Sequence, residues 1–268
     1  MPPSPRLPVV TEPSAPWRGG RVTSRATCVL APNPGPMTLD GTNTWVLAEP
    51  GSARALVVDP GPLDTGHLSR VEEAVRTGGR TVGLVLCTHG HPDHTDGAAE
   101  LAERTGAPLR PLGDAGDVEL DGLVLRGVPT PGHTADSVCW VVEADRALLS
   151  GDTVLGRGTA VVAHPDGSLG PYLSSLRRLR ELVAAEGLER VLPGHGPVLD
   201  DAVGVIDGYV THRAARLDEV RAALAGGART AEEVVAVVYG PLDPVLIEAA
   251  TRTVRATLEH LARLGGTS

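Results

Sequence analysis

Residues 88–94 read THGHPDH and stand directly after the apolar run LVLC. In an extended segment, side chains two apart share a face, so His89 and His91 can meet one metal ion from a strand end. Pro92 forces a turn, after which Asp93 and His94 can point into a neighbouring position, and two adjacent ions are the natural consequence. Imidazole and carboxylate suit zinc, and Fe(II) or Mn(II) are compatible by ligand type. One loop cannot close two such sites, so further donors must come from other loops. His133 in TPGHT, Asp152 in LLSGDT and His195 in LPGHGP supply them, each flanked by Gly or Pro that allows a tight turn. A single loop histidine is ordinarily a surface residue. H-x-H-x-D-H at a strand end, with three separately placed donors, is not explained that way.

Donors scattered over more than 100 residues need a rigid frame. Short β-branched runs with turn signals at 25–31, 42–49 and 54–59 read as strands, and so do 82–88, 123–129, 137–143 and 146–152. Residues 190–193 read as a last strand running into the PGHG loop. Helical periodicity appears at 67–78, 96–106 and 171–186, the last with Leu173, Leu176, Leu179 and Leu182 on one side. Interleaved strands and helices make this an α/β chain with helices covering sheets. Beyond about residue 200 the pattern is helical only: 201–225, then 230–240 with Thr230 and Glu233 spaced as a capping box, then 244–264.

The 268 residues can bury a sizeable core, and 41% are hydrophobic. With no Phe, three Trp and three Tyr, that core must be built from Val, Leu and Ala. All 24 basic residues are Arg, and the net charge of −9 disfavours nonspecific nucleic-acid binding. Cys28, Cys87 and Cys139 show no paired spacing and are expected to be plain buried thiols. Residues 1–21 are Pro-rich, without an apolar signal core, and read as an extended arm. No run reaches the roughly 20 apolar residues that span a bilayer, so the expected location is the cytoplasm, without a membrane partner.

Asp59, THGHPDH, TPGHT, SGD and PGHG, in this order, resemble the five motifs of the metallo-β-lactamase fold superfamily over about residues 22–200. More narrowly, NPGPMTLDGTNTWVL, SGDTVLGRGT and YVTHR resemble the group containing the lactamase-beta-like protein 2 endoribonucleases, whose C-terminal part is similar to a winged helix. Glyoxalase II and fungal polyketide thioesterases share much of the pattern. The resemblance implies an αββα sandwich over 22–200 and a small helical, winged-helix-like domain over 201–268. It implies that His89, His91 and His133 hold one ion, that Asp93, His94 and His195 hold the second, and that Asp152 bridges both. It makes Asp59 an outer support that hydrogen-bonds the histidine loop.

The implied activity is hydrolysis by a metal-bridging hydroxide, with Asp93 and Asp152 at the catalytic centre. Metal binding lowers the pKa of water from about 15.7 to about 7, so no Ser or Cys nucleophile is needed. The acidic charge favours a thioester or other small acyl ester as substrate. Single-stranded RNA is the alternative, and a non-hydrolytic metal-binding or redox protein a third. Seven Arg against nine acidic residues leave 201–268 at −2, and GGTS follows the third helix where a wing hairpin would stand. That segment is expected to pack against the hydrolase domain or to form a homodimer rather than to read nucleic acid.

Overall fold

The computed structural model describes residues 16–265. Of the Pro-rich arm, residues 1–15 lie outside the described residues. Its last part is tied down: the Trp17 indole donates to Asn43 Oδ1 (2.8 Å), and Gly20–Arg21 pair as a short strand.

Two sheets form the centre. The first runs β1 (Gly20–Arg21), β2 (Ala26–Leu30), β3 (Asn43–Leu47), β4 (Arg54–Val58) and β5 (Thr81–Leu86), with only β4 and β5 parallel. The second contains β6 (Val118–Leu120), β7 (Leu123–Pro129), β8 (Val138–Val142), β9 (Ala147–Gly151), β10 (Arg190–Pro193) and β11 (Leu199–Asp200). Its spatial order is β11-β10-β9-β8-β7-β6, and only β9 and β10 are parallel. Every residue of β3 and β8 is buried, so both faces of these strands are covered.

Side-chain alternation divides these strands between two apolar layers. Trp45, Leu47, Leu56 and Val58 of the first sheet meet Val138, Trp140, Val142 and Leu149 of the second in the inter-sheet core. Val46, Ala55 and Val57 face outward, under Leu68, Val71 and Val75 of α1 (Thr65–Thr77) and Leu101 of α3 (Ala98–Thr105). Cys139, Val141, Leu148 and Val191 face the other way, under α4 (Leu169–Glu186) and the first half of α5 (Ala202–Ala225). The result is the αββα sandwich that the resemblance implies, with helices covering both sheets as the interleaved pattern leads one to expect. All three cysteines are buried and unpaired.

The second half of α5 joins α6 (Ala231–Tyr239) and α7 (Pro244–Gly265) in a separate cluster around Val220, Val234 and Val254. The Thr230/Glu233 capping box forms as its spacing predicts. Among the described residues no strand follows β11. The helical end also packs on the sandwich, since Ala256 of α7 joins the α4 layer. No single described helix is long and apolar enough to cross a membrane.

The two parallel pairs matter most for the site. β4 and β5 end side by side, β9 and β10 end side by side, and the residues leaving all four strands collect at one edge of the sandwich.

Candidate metal centre

Asp59 follows β4, and residues 87–91 lead from β5 into α2, a single turn over Pro92–Thr95. His133 sits between β7 and β8, Asp152 follows β9, and His195 follows β10. The structure brings all seven expected donors together in three overlapping groups: His89, His91 and His133; His89, His94 and Asp152; Asp93, His94 and His195. Within each group the ligand-type atoms lie within 4.8 Å of one another.

Hydrogen bonds on the outer ring nitrogens set the orientation of four imidazoles. His94 Nδ1 donates to Asp59 Oδ2 (2.9 Å), His133 Nδ1 to the Val161 carbonyl (2.7 Å) and His195 Nδ1 to the Gly41 carbonyl (3.2 Å). Thr88 Oγ1 donates to Asp59 Oδ2 (2.8 Å), so it accepts from His89 Nδ1 (3.0 Å). With each Nδ1 committed as a donor, the four Nε2 lone pairs are turned inward. Asp59, at 1% exposure, also accepts from the Thr88 backbone N–H (2.7 Å), and thereby couples the β4 end, the β5 end and His94. Its backbone adopts φ +51°, a strained value that this hydrogen-bond set holds in place.

The inward nitrogens crowd one another. His91 Nδ1 lies 3.0 Å from both His89 Nε2 and His133 Nε2, and His94 Nε2 lies 3.2 Å from His195 Nε2. The carboxylates close the gaps: Asp93 Oδ2 is 3.1 Å from His195 Nε2 and 3.4 Å from His94 Nε2. Asp152 reaches both sides, with Oδ1 3.5 Å from His94 and Oδ2 3.7 Å from His133 and 3.4 Å from His195. Bonds of about 2.0–2.1 Å to one tetrahedral ion place donor atoms about 3.3 Å apart. The observed spacings match that value. Asp152 Oδ1 is buried without a hydrogen-bond donor, as a carboxylate oxygen intended for a cation would be. Gly194 leaves the room, because a Cβ there would lie 2.4 Å from Asp152 Oδ1.

The electrostatics agree. Burial holds His89 and His133 below the usual histidine range, which keeps them neutral donors. Burial would lower His195 as well, but Asp152 and Asp93 outweigh it and push it up to about 11. Burial would raise Asp93, yet the His195 hydrogen bond and His94 hold it at about 2, and Asp152 is held well below the carboxylate range by His195 and His94. Two carboxylates that favour imidazolium this strongly also favour a metal cation.

Sequence reasoning missed the residues that aim these donors. Thr88, Gly41 and Val161 act through a hydroxyl or a backbone carbonyl, and Thr42 Oγ1 reaches Asp93 Oδ2 at 3.2 Å. Asn43 was also overlooked; its amide donates to the carbonyls of Pro193 and Gly196 (2.9 Å each) and ties β3 to the His195 loop. The signal available was the polar stretch Thr42–Asn43–Thr44, wholly buried at the edge of β3. His164, His212 and His260 stand outside all three donor groups, and Cys87 Sγ turns toward the His94 carbonyl. A cavity of about 550 Å³ opens elsewhere, where His164 and Pro165 meet Ile247, Glu248 and Arg252 of α7.

Residues 37–113 and 107–195 match the sequence profile of the Metallo-beta-lactamase superfamily. A Beta-lactamase-like protein 2 homolog of Caenorhabditis elegans is 31% identical over 265 residues, spanning 91% of this chain and 86% of that protein. This chain belongs to the metallo-β-lactamase superfamily. Lactamase-like protein vrtG of Penicillium aethiopicum is 34% identical over 92% of this chain and 80% of its own length. A Beta-lactamase domain protein from Burkholderia ambifaria shares the fold with TM-score 0.78, covering 96% of this chain and 92% of that one at 24% identity. Residues 230–267, which take in α6 and α7, match the Beta-lactamase associated winged helix domain, so the metallo-β-lactamase sandwich carries a C-terminal winged-helix domain. Membership makes this an enzyme of a metal-dependent hydrolase superfamily, and its His/Asp groups fit divalent ions.

Proposed function

We propose that this chain is a dinuclear, zinc-type hydrolase of a thioester or other small acyl ester. His89, His91 and His133 would hold one ion, Asp93, His94 and His195 the other, and Asp152 would contact both. When bound, such a pair lowers the pKa of water and polarises an acyl carbonyl. The chain's own part is to hold the Nε2 atoms toward one another through the Asp59, Val161 and Gly41 hydrogen bonds, which also make those nitrogens stronger bases toward a cation. Asp93, the more exposed of the two cluster carboxylates at 28%, is placed to pass a proton between the cleft and solvent as the thiol or alcohol leaves.

The observation that carries the acyl reading is the set of side chains packed against Gly90 and Gly196, the glycines beside His89, His91 and His195. Leu112 Cδ1 stands 3.7 Å from where a Cβ on Gly90 would project, and Leu39 Cδ1 3.0 Å from the same point on Gly196. Beside them, Asp136 Oδ2 comes within 2.9 Å of the Gly90 position. The arginines of the flanking loops are committed: Arg157 to Asp40 (2.6 Å), and Arg110 to Asp114 (3.0 Å) and the Gly116 carbonyl. Leucines suit an acyl chain, and Asp136 disfavours an extended polyanion beside it.

A second reading, cleavage of single-stranded RNA, is favoured by similarity to a Beta-lactamase-like protein 2 homolog and by the winged-helix match at 230–267. The test is a side-by-side assay of zinc-loaded protein on acyl-CoA thioesters, S-lactoylglutathione, a chromogenic phosphodiester and single-stranded RNA, after metal analysis. About two ions per chain and turnover of a thioester are expected. Faster turnover of RNA would replace the acyl reading, and a stoichiometry near zero would end both.

A further inference from the structure

The segment DTVLGRGTAVVA, residues 152–163, touches three of the seven donors. It starts at Asp152, its Gly156 N–H donates to the His195 carbonyl (2.8 Å), and its Val161 carbonyl fixes His133 Nδ1 (2.7 Å). The segment has little stiffness of its own. Gly156 and Gly158 interrupt it, the latter at φ +69°, and no sheet pairing runs through it. Something else must hold it to the precision that donor atoms need.

The α5 helix supplies the hold, through two residues one turn apart in the YVTHR stretch. Tyr209 OH accepts from the Leu155 N–H (2.8 Å) and donates to the Gly158 carbonyl (3.2 Å). Arg213 Nη2 donates to the Ala160 carbonyl, one residue before the carbonyl that fixes His133. The Arg213 guanidinium also lies over the Tyr172 ring, 5.0 Å from its centre, and Tyr172 OH donates to the Thr153 carbonyl (2.7 Å), one residue after Asp152. Arg213 is 5% exposed, its Nε has no hydrogen-bond partner, and among the described residues no carboxylate pairs with it. Burying a cation so incompletely satisfied is costly, and an apolar residue of similar size would fill the space more cheaply. The cost is explained if the fixed fork of donors sets the path of the loop.

We propose that Tyr209 and Arg213 are positioning residues for the metal site: from α5 they fix residues 153–161 and thereby the placement of His133 and Asp152. The proposal rests on the metal-binding reading of that site. It extends the active-site machinery to a helix that contributes no donor of its own, and it makes α5 the link between the sandwich and the C-terminal helices.

The test uses the full chain with Tyr209→Phe, Arg213→Lys and Arg213→Met, and Ile206→Val as a core control on the same helix. Three quantities are read: apo-protein melting temperature, affinity for each Co(II) ion by chelator competition with its visible spectrum, and amide exchange over 153–163 in the metal-free protein. Arg213→Met and Tyr209→Phe should weaken at least one ion about 10- to 100-fold, change the Co(II) spectrum and speed exchange at 155–161. Arg213→Lys, which keeps a donor near Ala160, should recover part of the affinity. Ile206→Val should lower the melting temperature and leave affinity and spectrum unchanged. Wild-type affinity and spectrum in Arg213→Met, or in Tyr209→Phe should Arg213→Met fail to fold, overturns the proposal. So does an equal affinity loss in Ile206→Val. Should the wild type itself take up no ion, the functional reading fails, and exchange over 155–161 alone then decides for or against the clamp.

Discussion

Asp152 is the carboxylate that faces histidines of both proposed ion sites. It is 9% exposed, it reaches His94, His133 and His195, and its Oδ1 has no donor. Asp152→Ala should therefore lower bound metal from about two ions to one or none and reduce kcat/KM by roughly 1,000-fold or more, while far-UV circular dichroism stays native. Retention of both ions and wild-type turnover would refute its role.

His67 makes a different residue-scale prediction. It is fully buried, its Nε2 faces Thr44 Oγ1 at 2.8 Å, and burial, helped by Arg70, depresses it to about 4. Between its unfolded value of 6.5 and about 4, the unfolded chain binds a proton that the folded chain refuses. Stability from this group is complete above pH 6.5 and is lost as pH falls toward 4, by up to about 3 kcal/mol. His67→Gln removes the titration, so the drop in melting temperature from pH 7 to pH 4.5 should be smaller in the variant than in the wild type, both measured metal-free. Equal drops would show that His67 is not held neutral.

At the scale of elements, the strands and helices that carry the donors were legible because each has a clear period. Val46 and Val57 alternate with Trp45 and Leu56, and Leu176, Leu179 and Val183 line one face of α4. The two-residue strands β1 and β11 are too short to show a period, and α2 is a single turn. Tyr209 and Arg213 escaped for another reason. The α5 helix spans two cores, with Ile206 in one and Val220 in the other, so its apolar residues do not share one stripe, and a buried arginine reads as surface. The donors were legible as a set, since the motifs name them. Their aiming was not, because backbone carbonyls such as those of Gly41 and Val161 leave no trace in residue type.

The TPGHT turn tests how strictly an element's backbone is specified. Gly132 stands at φ +144°, and a Cβ on it would meet Tyr172 Cα at 2.3 Å. Both the dihedral and the clash forbid a side chain. Gly132→Ala should cost about 3 kcal/mol or more, a fall of roughly 6–12 °C in melting temperature for a chain of this size. Because the next residue is His133, metal affinity should fall with it. A melting temperature within 2 °C of wild type, read by calorimetry, would contradict this packing.

At the scale of the whole molecule, net charge bears on the choice between acyl and RNA substrates. The chain carries −9, the 201–268 segment −2, and Arg157 and Arg110 are paired with Asp40 and Asp114. RNA would have to recruit arginine contacts against that background, and each phosphate neutralised on a single strand contributes about −0.7 to the slope of log affinity against log salt. Three or four contacts give a loss of roughly 20- to 50-fold between 50 and 200 mM salt. A compact thioester bound by one or two charges loses little over that range. Hydrolysis of a chromogenic ester with and without excess single-stranded RNA, at both salt levels, separates the two cases. The net charge predicts that RNA is a poor competitor at either concentration. Strong inhibition at 50 mM that fades at 200 mM would instead mean that the chain gathers phosphates in spite of its charge, and the ribonuclease reading would displace the acyl one.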